Sequence, residues 1–452
     1  MDKPPYVIPS MADVAAIRGT NGYKVVSTFS GCGGSCLGFE MAGFEVVWAS
    51  EFVPEARDTY ALNHPDVPIN PSDIRSVRAA DILAEAGLEV GEVDVMEGSP
   101  PCSSFSMAGK REKHWGQATS YSETEQRTDD LFFEFARLVE GVQPKVFIAE
   151  NVAGLVQGTA KGYFKDILRR LKACGYQVEA KVLDAKWLGV PQSRRRLIFI
   201  GVRDDLGARP AFPKPFPYQY SIRDACPWIT NGGYRKARFG AVETAGVSTD
   251  WDSDEVSQVV TATGLGGGAR HQSVVAPPML AEWSSDQVAP TVTASGMYAM
   301  NAMENLINPP DSNGTSEDNA WYEYLIANGH PEVTDPAEID LVDIRRYAIG
   351  REWLRLQPGS SSPKFFNLVR TDADSALPTV TQTAGKSGGV AGVTHPSEPR
   401  KFTIPELRRL HSFPEDFQLT GRFSQRWERI GRSVPPLMMK RIAEVVRDDI
   451  LG

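Results

Sequence analysis

The chain has 452 residues, 41% hydrophobic, 23% charged and 9% aromatic, a balance that excludes a mainly disordered protein and leaves room for more than one domain. Its 48 Lys and Arg against 57 Asp and Glu give a net charge of −9, which excludes a polycation that coats nucleic acid indiscriminately, so any nucleic-acid contact must be local. Five cysteines (Cys32, Cys36, Cys102, Cys174, Cys226) form no C-x-x-C pair or zinc spacing, no apolar run reaches the ~18 residues of a membrane span, and Met1-Asp2-Lys3-Pro4-Pro5 lacks the apolar core of a secretory signal, so a soluble cytoplasmic protein without metal or membrane partner is expected.

From Lys24 to about Gly201, short β-branched runs alternate with turns and stretches of helical period, the pattern of βαβ units and a parallel sheet. The predicted strands are Lys24–Phe29, Phe44–Ala49, Val93–Glu97, Lys145–Ala149, Gln177–Leu183 and Leu197–Gly201, with helices over Leu131–Val139 and Tyr163–Cys174. After about Arg203 the texture changes to proline clusters and glycine runs. Here Val259–Gly264, Thr291–Gly296 and Thr379–Gln382 leading to Gly385 each read as a short strand entering a glycine turn, which predicts a second, β- and loop-rich domain. Asp311–Asn319 reads as a polar insertion and Pro336–Leu354 has helical periodicity. From Arg400 onward helices return, with 11 Lys and Arg against 7 Asp and Glu. The expected division is 1–205, 206–399 and 400–452, the last segment returning to the first domain.

The chemistry-bearing residues fall at predicted strand ends. The first strand runs into Phe29-Ser30-Gly31-Cys32-Gly33-Gly34 and the second ends at Glu51, as in βαβ units whose glycines let the backbone close under a ligand while a later acid receives ribose hydroxyls. Asp73 before Ile74 reads as a further strand-end acid, placed to meet an adenine amino group or simply to cap a surface turn. In Gly98-Ser99-Pro100-Pro101-Cys102, two prolines fix a loop carrying one thiol to the sheet edge where ligands of open α/β folds bind, although a lone cysteine also suits a core position. Glu150 ends a strand at the same edge, and Arg194 and Arg196 share one face of another by two-residue alternation, or form a solvated basic cluster. Gly264–Gly268 with Arg270 and His271, and Gly385–Gly389 with Lys386, permit close approach to phosphates or serve as ordinary loops.

Taken in order, these blocks resemble the DNA (cytosine-5) methyltransferase family. They are Phe29-Ser30-Gly31-x-Gly33-Gly34, Glu51, Asp73-Ile74, Pro100-Pro101-Cys102, Glu150-Asn151-Val152 and Gln192-x-Arg194-x-Arg196, followed by Phe402–Glu406, Phe413–Phe417 and Gly431-Arg432-Ser433-Val434-Pro435-Pro436. The resemblance spans roughly residues 24–205 and 398–448. It implies a doubly wound, mostly parallel α/β sheet, the class I S-adenosylmethionine-dependent fold, with the middle region as target-recognition domain. It implies S-adenosyl-L-methionine held by Phe29, Ser30, Gly31, Gly33, Gly34, Glu51, Phe52, Asp73, Ile74, Pro100, Arg432, Ser433 and Val434. Catalysis falls to Cys102, Glu150, Arg194 and Arg196, and contacts to double-stranded DNA to Ser103, Ser106, Gln192, Arg270 and Lys386. Cytosine C5 is a poor nucleophile, and adding the Cys102 thiolate at C6 makes it reactive. Glu150, with its acid form favoured by burial, supports N3, while the two arginines hold the base O2, the flanking phosphate and the catalytic loop. The target base must be flipped out of its duplex. A monomer suffices.

Three departures from the family pattern stand out: Ser103 where Gln is common, His411-Ser412 in place of Gln-Gly, and Arg432 where Asn is usual. A guanidinium beside the donor pocket disfavours a sulfonium and favours a donor bearing a carboxylate, such as carboxy-S-adenosyl-L-methionine, which would make 5-carboxymethylcytosine. Alternatively Arg432 pairs with Glu51 or another acid, or faces phosphate or solvent, and methyl transfer is kept. A tRNA-cytosine enzyme of the same fold and a catalytically silent DNA-binding regulator are the remaining readings.

Overall fold

The computed structural model describes residues 3–101, 118–121, 124–127, 130–156, 161–231 and 342–452. Close packing divides the chain into one unit of Met1–Pro227, Ala373–Ser387 and Ile404–Gly452, and a second of Trp228–Asp372 and Gly388–Thr403.

The first unit is built on seven strands: β1 (Lys24–Thr28), β2 (Glu45–Ser50), β3 (Ile69–Asn70), β4 (Val95–Gly98), β5 (Val146–Val152), β6 (Tyr176–Asp184) and β7 (Arg195–Arg203). Their spatial order is β3-β2-β1-β4-β5-β7-β6. The first five pair in parallel, and β7 runs antiparallel between β5 and β6. Strand order therefore reverses between β1 and β4, and in open α/β sheets ligands bind at the carboxyl ends of the strands beside such a switch point. A separate antiparallel hairpin joins Ala118–Tyr121 to Thr124–Arg127.

Continuous apolar runs suit strands buried on both faces. Val26, Met96, Phe147, Ala149, Leu197 and Phe199 meet α4 (Ala79–Ala86), α5 (Leu131–Val142) and α6 (Lys161–Ala173) on one side. The alternate residues Val25, Val95, Val146, Ile148, Ile198 and Ile200 share the opposite core with α2 (Gly34–Glu40), Tyr60 of α3 (Pro54–Asn63) and the C-terminal helix Pro436–Val446. Proline in the first turn suits that last helix, because its missing N–H would have no helical partner there. Its Met438, Met439, Ile442 and Val446 bring the end of the chain back onto the sheet. The doubly wound, mostly parallel α/β architecture expected from the alternation is present.

Some local readings differ. β3 is only two residues long and carries no periodicity, so it escaped the pattern. Asp73 lies three residues beyond it in a turn, where it takes hydrogen bonds from the backbone and guanidinium of Arg75. Thr379–Gln382 forms no strand: Thr379 Oγ1 donates to Ser193 O, Val380 is buried, and Gln382–Gly385 is a short 3-10 turn. Residues 206–227 pack within the first unit through buried Ile222, Ala225 and Cys226, and Leu377 brings 373–387 there by pairing with Pro191 and Gln192.

In the second unit the described residues form helix Ala348–Trp353 and a short parallel pair, Val369–Arg370 with Val393–Thr394, around Ile344, Ile349, Trp353, Leu356 and Leu368. The Arg370 guanidinium lies 3.8 Å from the Trp353 ring centroid and donates to the carbonyls of Leu356 and Pro396. The expected strands Val259–Gly264 and Thr291–Gly296, the insertion Asp311–Asn319 and the first six residues of Pro336–Leu354 lie outside the described residues, and the later part of that helical stretch forms the helix Ala348–Trp353.

Candidate active site

The glycine turn after β1 opens with Phe29 at φ 55°, an uncommon left-handed value for a non-glycine residue that marks a constrained site. Ser30 N donates to Ser50 O, tying the turn to the end of β2. Gly31 follows at φ 57°, and a side chain there would meet nothing within 4 Å, so the turn borders open space. Gly33 caps α2, and a Cβ on Gly34 would come within 2.5 Å of Val434 O, so only glycine lets the C-terminal segment close over this turn.

Glu51 follows β2 and is 7% exposed. Its Oε2 accepts from Gly31 N at 2.8 Å and its Oε1 from Val53 N at 2.7 Å. Burial pushes its carboxyl up from the ordinary value, while these N–H groups and the nearby Arg432 and Arg57 pull it down. Each oxygen retains a lone pair for a ligand hydroxyl. Phe52 is half-buried beside it, Ile74 is buried in the core and Pro100 is buried within the loop after β4. A paired acceptor beside a glycine-lined opening fits an adenosyl group.

Arg432 ends helix Phe423–Arg432, and its Nε and Nη2 both donate to Glu428 Oε1 at 3.1 Å, one turn back. Ser433 Oγ donates to Ile430 O, and Val434 is buried. Glu428 was not read from the sequence, although an acid four residues before Arg432 was the available signal.

At the carboxyl ends of β4 and β5, register places Gly98 beside Ala149, so Glu150 extends one residue past that pair. Glu150 is 8% exposed, and its Oε1 lies 2.6 Å from Arg196 Nε. The antiparallel pairing of β5 with β7 sets Arg196 opposite Val152 and Ile198 opposite Glu150, a diagonal within reach of long side chains on one face. Asn151 Nδ2 donates to Pro100 O at 3.1 Å, which ties the proline loop to the strand bearing Glu150. Cys102, Ser103, Ser106 and Arg270 lie outside the described residues.

Two predicted contact residues turn inward. Arg194 is 1% exposed, with Nη2 donating to Gly431 O at 2.9 Å and Nη1 to Val380 O at 3.4 Å. It braces the segment carrying Arg432, and burial together with the neighbouring Arg196 pulls its proton affinity well down, against the opposing pull of Glu150. Gln192, expected to touch DNA, is fully buried. Its Nε2 donates to His411 Nδ1 at 3.0 Å, and His411 Nε2 in turn donates to Ser433 O at 3.2 Å. Burial and the two arginines hold His411 well below the usual imidazole range, so it is neutral and its tautomer is set by this chain of bonds. Both residues belong to an interior brace because the backbone around them pairs on both sides, at Leu377 and Asp184. Lys386 is exposed.

One functional-looking residue was missed entirely. Glu97 is 1% exposed at the end of β4 and accepts from Ser27 Oγ, from Ser35 Oγ at 2.8 Å and from Cys36 Sγ. A lone acid closing the run Val93–Met96 was the only signal.

Among the described residues no helix is long and apolar enough to cross a membrane, and no group of three His, Cys, Asp or Glu is arranged to hold a metal ion.

A parallel sheet with this order, one antiparallel strand and a glycine turn with a buried acid at its switch point is the class I S-adenosylmethionine-dependent methyltransferase fold. The model of the C-5 cytosine-specific DNA methylase family matches residues 23–250 and 280–448, and the chain belongs to that family. It is 28% identical over 424 residues to type II methyltransferase M1.HphI of Haemophilus parahaemolyticus, covering 93% of this chain and 86% of that one. It is 36% identical to type II methyltransferase M.NgoPII of Neisseria gonorrhoeae over 194 residues, 43% of this chain and 52% of the other. The crystal structure of a prophage-encoded E. coli protein, designated a DNA modification methyltransferase, shares the fold with a TM-score of 0.56 and 21% identity, covering 95% of this chain and all of that one.

Proposed function

We propose that the chain transfers a methyl group from S-adenosyl-L-methionine to C5 of a cytosine flipped out of double-stranded DNA, acting as a monomer in the cytoplasm. The observation that carries this reading is the Arg196–Glu150 pair at the end of β5, tied through Asn151 to the loop that leads into Cys102. The donor, when bound, supplies an electrophilic methyl carbon on a sulfonium. Glu51 would receive its ribose hydroxyls, with Phe29, Ser30, Gly31, Gly33 and Gly34 beneath it, Phe52, Asp73 and Ile74 near the base, and Pro100, Arg432, Ser433 and Val434 around the remainder. The Cys102 thiolate adds to C6 of the cytosine as Glu150 provides the proton or hydrogen bond at N3, which moves electron density to C5. After methylation at C5, loss of the C5 proton expels the thiolate. Arg196 orients Glu150, and Arg194 acts at one remove by holding Gly431.

Residues 206–399 would supply target recognition, with Ser103, Ser106, Arg270 and exposed Lys386 as DNA contacts; the interior bonds of Gln192 favour a bracing role for it instead. The bond from Arg432 to Glu428 favours the ordinary donor over carboxy-S-adenosyl-L-methionine, because the guanidinium already has a carboxylate. Incubating genomic DNA with the protein and each donor, then weighing the released nucleosides, tests the reading. The expected product is 5-methylcytosine. Modified nucleoside only in tRNA, or 5-carboxymethylcytosine alone, would overturn it.

A further inference from the structure

Glu97 occupies the centre of the sheet's carboxyl edge, on the strand beside the switch point. Its Oε1 takes all three donors: the Ser27 hydroxyl of β1 and, from the first turn of α2, the Ser35 hydroxyl and the Cys36 thiol. Ser27 Oγ also lies 2.7 Å from Ser30 Oγ, which carries the network into the glycine turn. Oε2 has no hydrogen-bond partner, and the carboxyl no cation within ion-pair distance, among the described residues.

The charged and titratable groups around it add no positive charge. On β5, the nearby Glu150 carboxyl pushes it further up and is itself paired with Arg196. On α2, burial pushes the Cys36 thiol well up, so it stays neutral, and Glu40 is paired with His64. On α3, burial likewise keeps the Tyr60 phenol neutral where it donates to Cys36 Sγ. From β1 come only hydroxyls. A carboxylate buried without a countercharge is costly and takes up a proton unless a cation arrives.

Resting on the donor assigned above, we propose that Glu97 is the buried countercharge for the cationic aminoalkyl-sulfonium end of S-adenosyl-L-methionine: protonated in the donor-free protein, it releases that proton to solvent when the donor binds. It touches the glycine turn through hydroxyls, and its charge makes the site selective for a cationic donor over one bearing an additional carboxylate. Burial lifts its carboxyl to about 7, which puts the exchange in an accessible range.

Calorimetric titration of the full chain with S-adenosyl-L-methionine, in phosphate and in Tris from pH 5.5 to 8.5, reads the proton directly. The expected result is release approaching one proton per donor near pH 6, vanishing by pH 8.5, with affinity rising about tenfold per pH unit below pH 7 and flat above it. Glu97→Gln, which keeps an acceptor for Ser27 and Ser35, should bind about tenfold more weakly at pH 8 and lose both the proton release and the pH dependence. Binding by the unaltered protein without proton release overturns the proposal, as does a Gln variant with an unchanged profile. Failure of both proteins to bind this donor at any pH overturns the donor assignment itself, and Glu97's role with it.

Discussion

Two carboxylates stand at the carboxyl ends of neighbouring strands, and the chain treats them in opposite ways. Glu150 on β5 faces a guanidinium at 2.6 Å, whereas Glu97 on β4 has only neutral hydroxyls and a thiol. Both are buried, but among the described residues only one has a partner of opposite charge. The acid assigned to the base has a fixed cation, and the acid behind the glycine turn awaits one. The first arrangement orients a side chain, while the second makes ligand binding and protonation compete.

Exchanging each carboxyl for an amide sharpens this contrast. Glu150→Gln should lower turnover by about 10²–10⁴-fold in a methyl-incorporation assay while leaving donor affinity near its original value. A loss confined to donor affinity would place Glu150 on the wrong side of the comparison. Glu97→Gln should act on stability. Below pH 4.5 its carboxyl is protonated folded or unfolded. Between pH 4.5 and about 7 the unfolded chain ionises first, so stability falls, and above 7 the full cost of about 3 kcal/mol is present. Thermal melts should thus show the Gln variant more stable at pH 8 and unchanged at pH 4.5; equal melting temperatures at pH 8 would refute the buried-charge account.

Smaller effects probe what supports each acid. Asn151→Ala removes the bond to Pro100 O and should cost about 1 kcal/mol in denaturant unfolding, with turnover falling more than donor affinity. Arg432→Asn loses an i,i+4 pair that is partly exposed, so its effect on stability should be at most about 0.5 kcal/mol. It should not shift preference between the two donors; a switch in donor preference in competition would revive a carboxylate role for that guanidinium.

The sheet was legible because Val25-Val26, Phe147-Ile148 and Leu197–Ile200 are apolar on both faces, a signal that short β3 lacks. Glu51 and Glu150 were readable as acids ending apolar runs. Glu97 obeys the same rule, but one acid in a strand does not announce that its partners are uncharged. Arg194 and Gln192 were assigned to the base and to DNA through the resemblance, which does not report burial. Their burial comes from residues 377–380, 411 and 431–433, far along the chain, and no local pattern reports that closure.

Trapping the covalent adduct tests the central claim most directly. A long duplex copied with 5-fluorodeoxycytidine presents every short recognition sequence and blocks loss of the C5 substituent once the thiolate has added and the methyl group is in place. With S-adenosyl-L-methionine present, the unaltered protein should run as an SDS-stable DNA adduct whose attachment maps to Cys102, and Cys102→Ser should give none. An adduct that persists in Cys102→Ser, or methylation of ordinary DNA by that variant, would contradict the account.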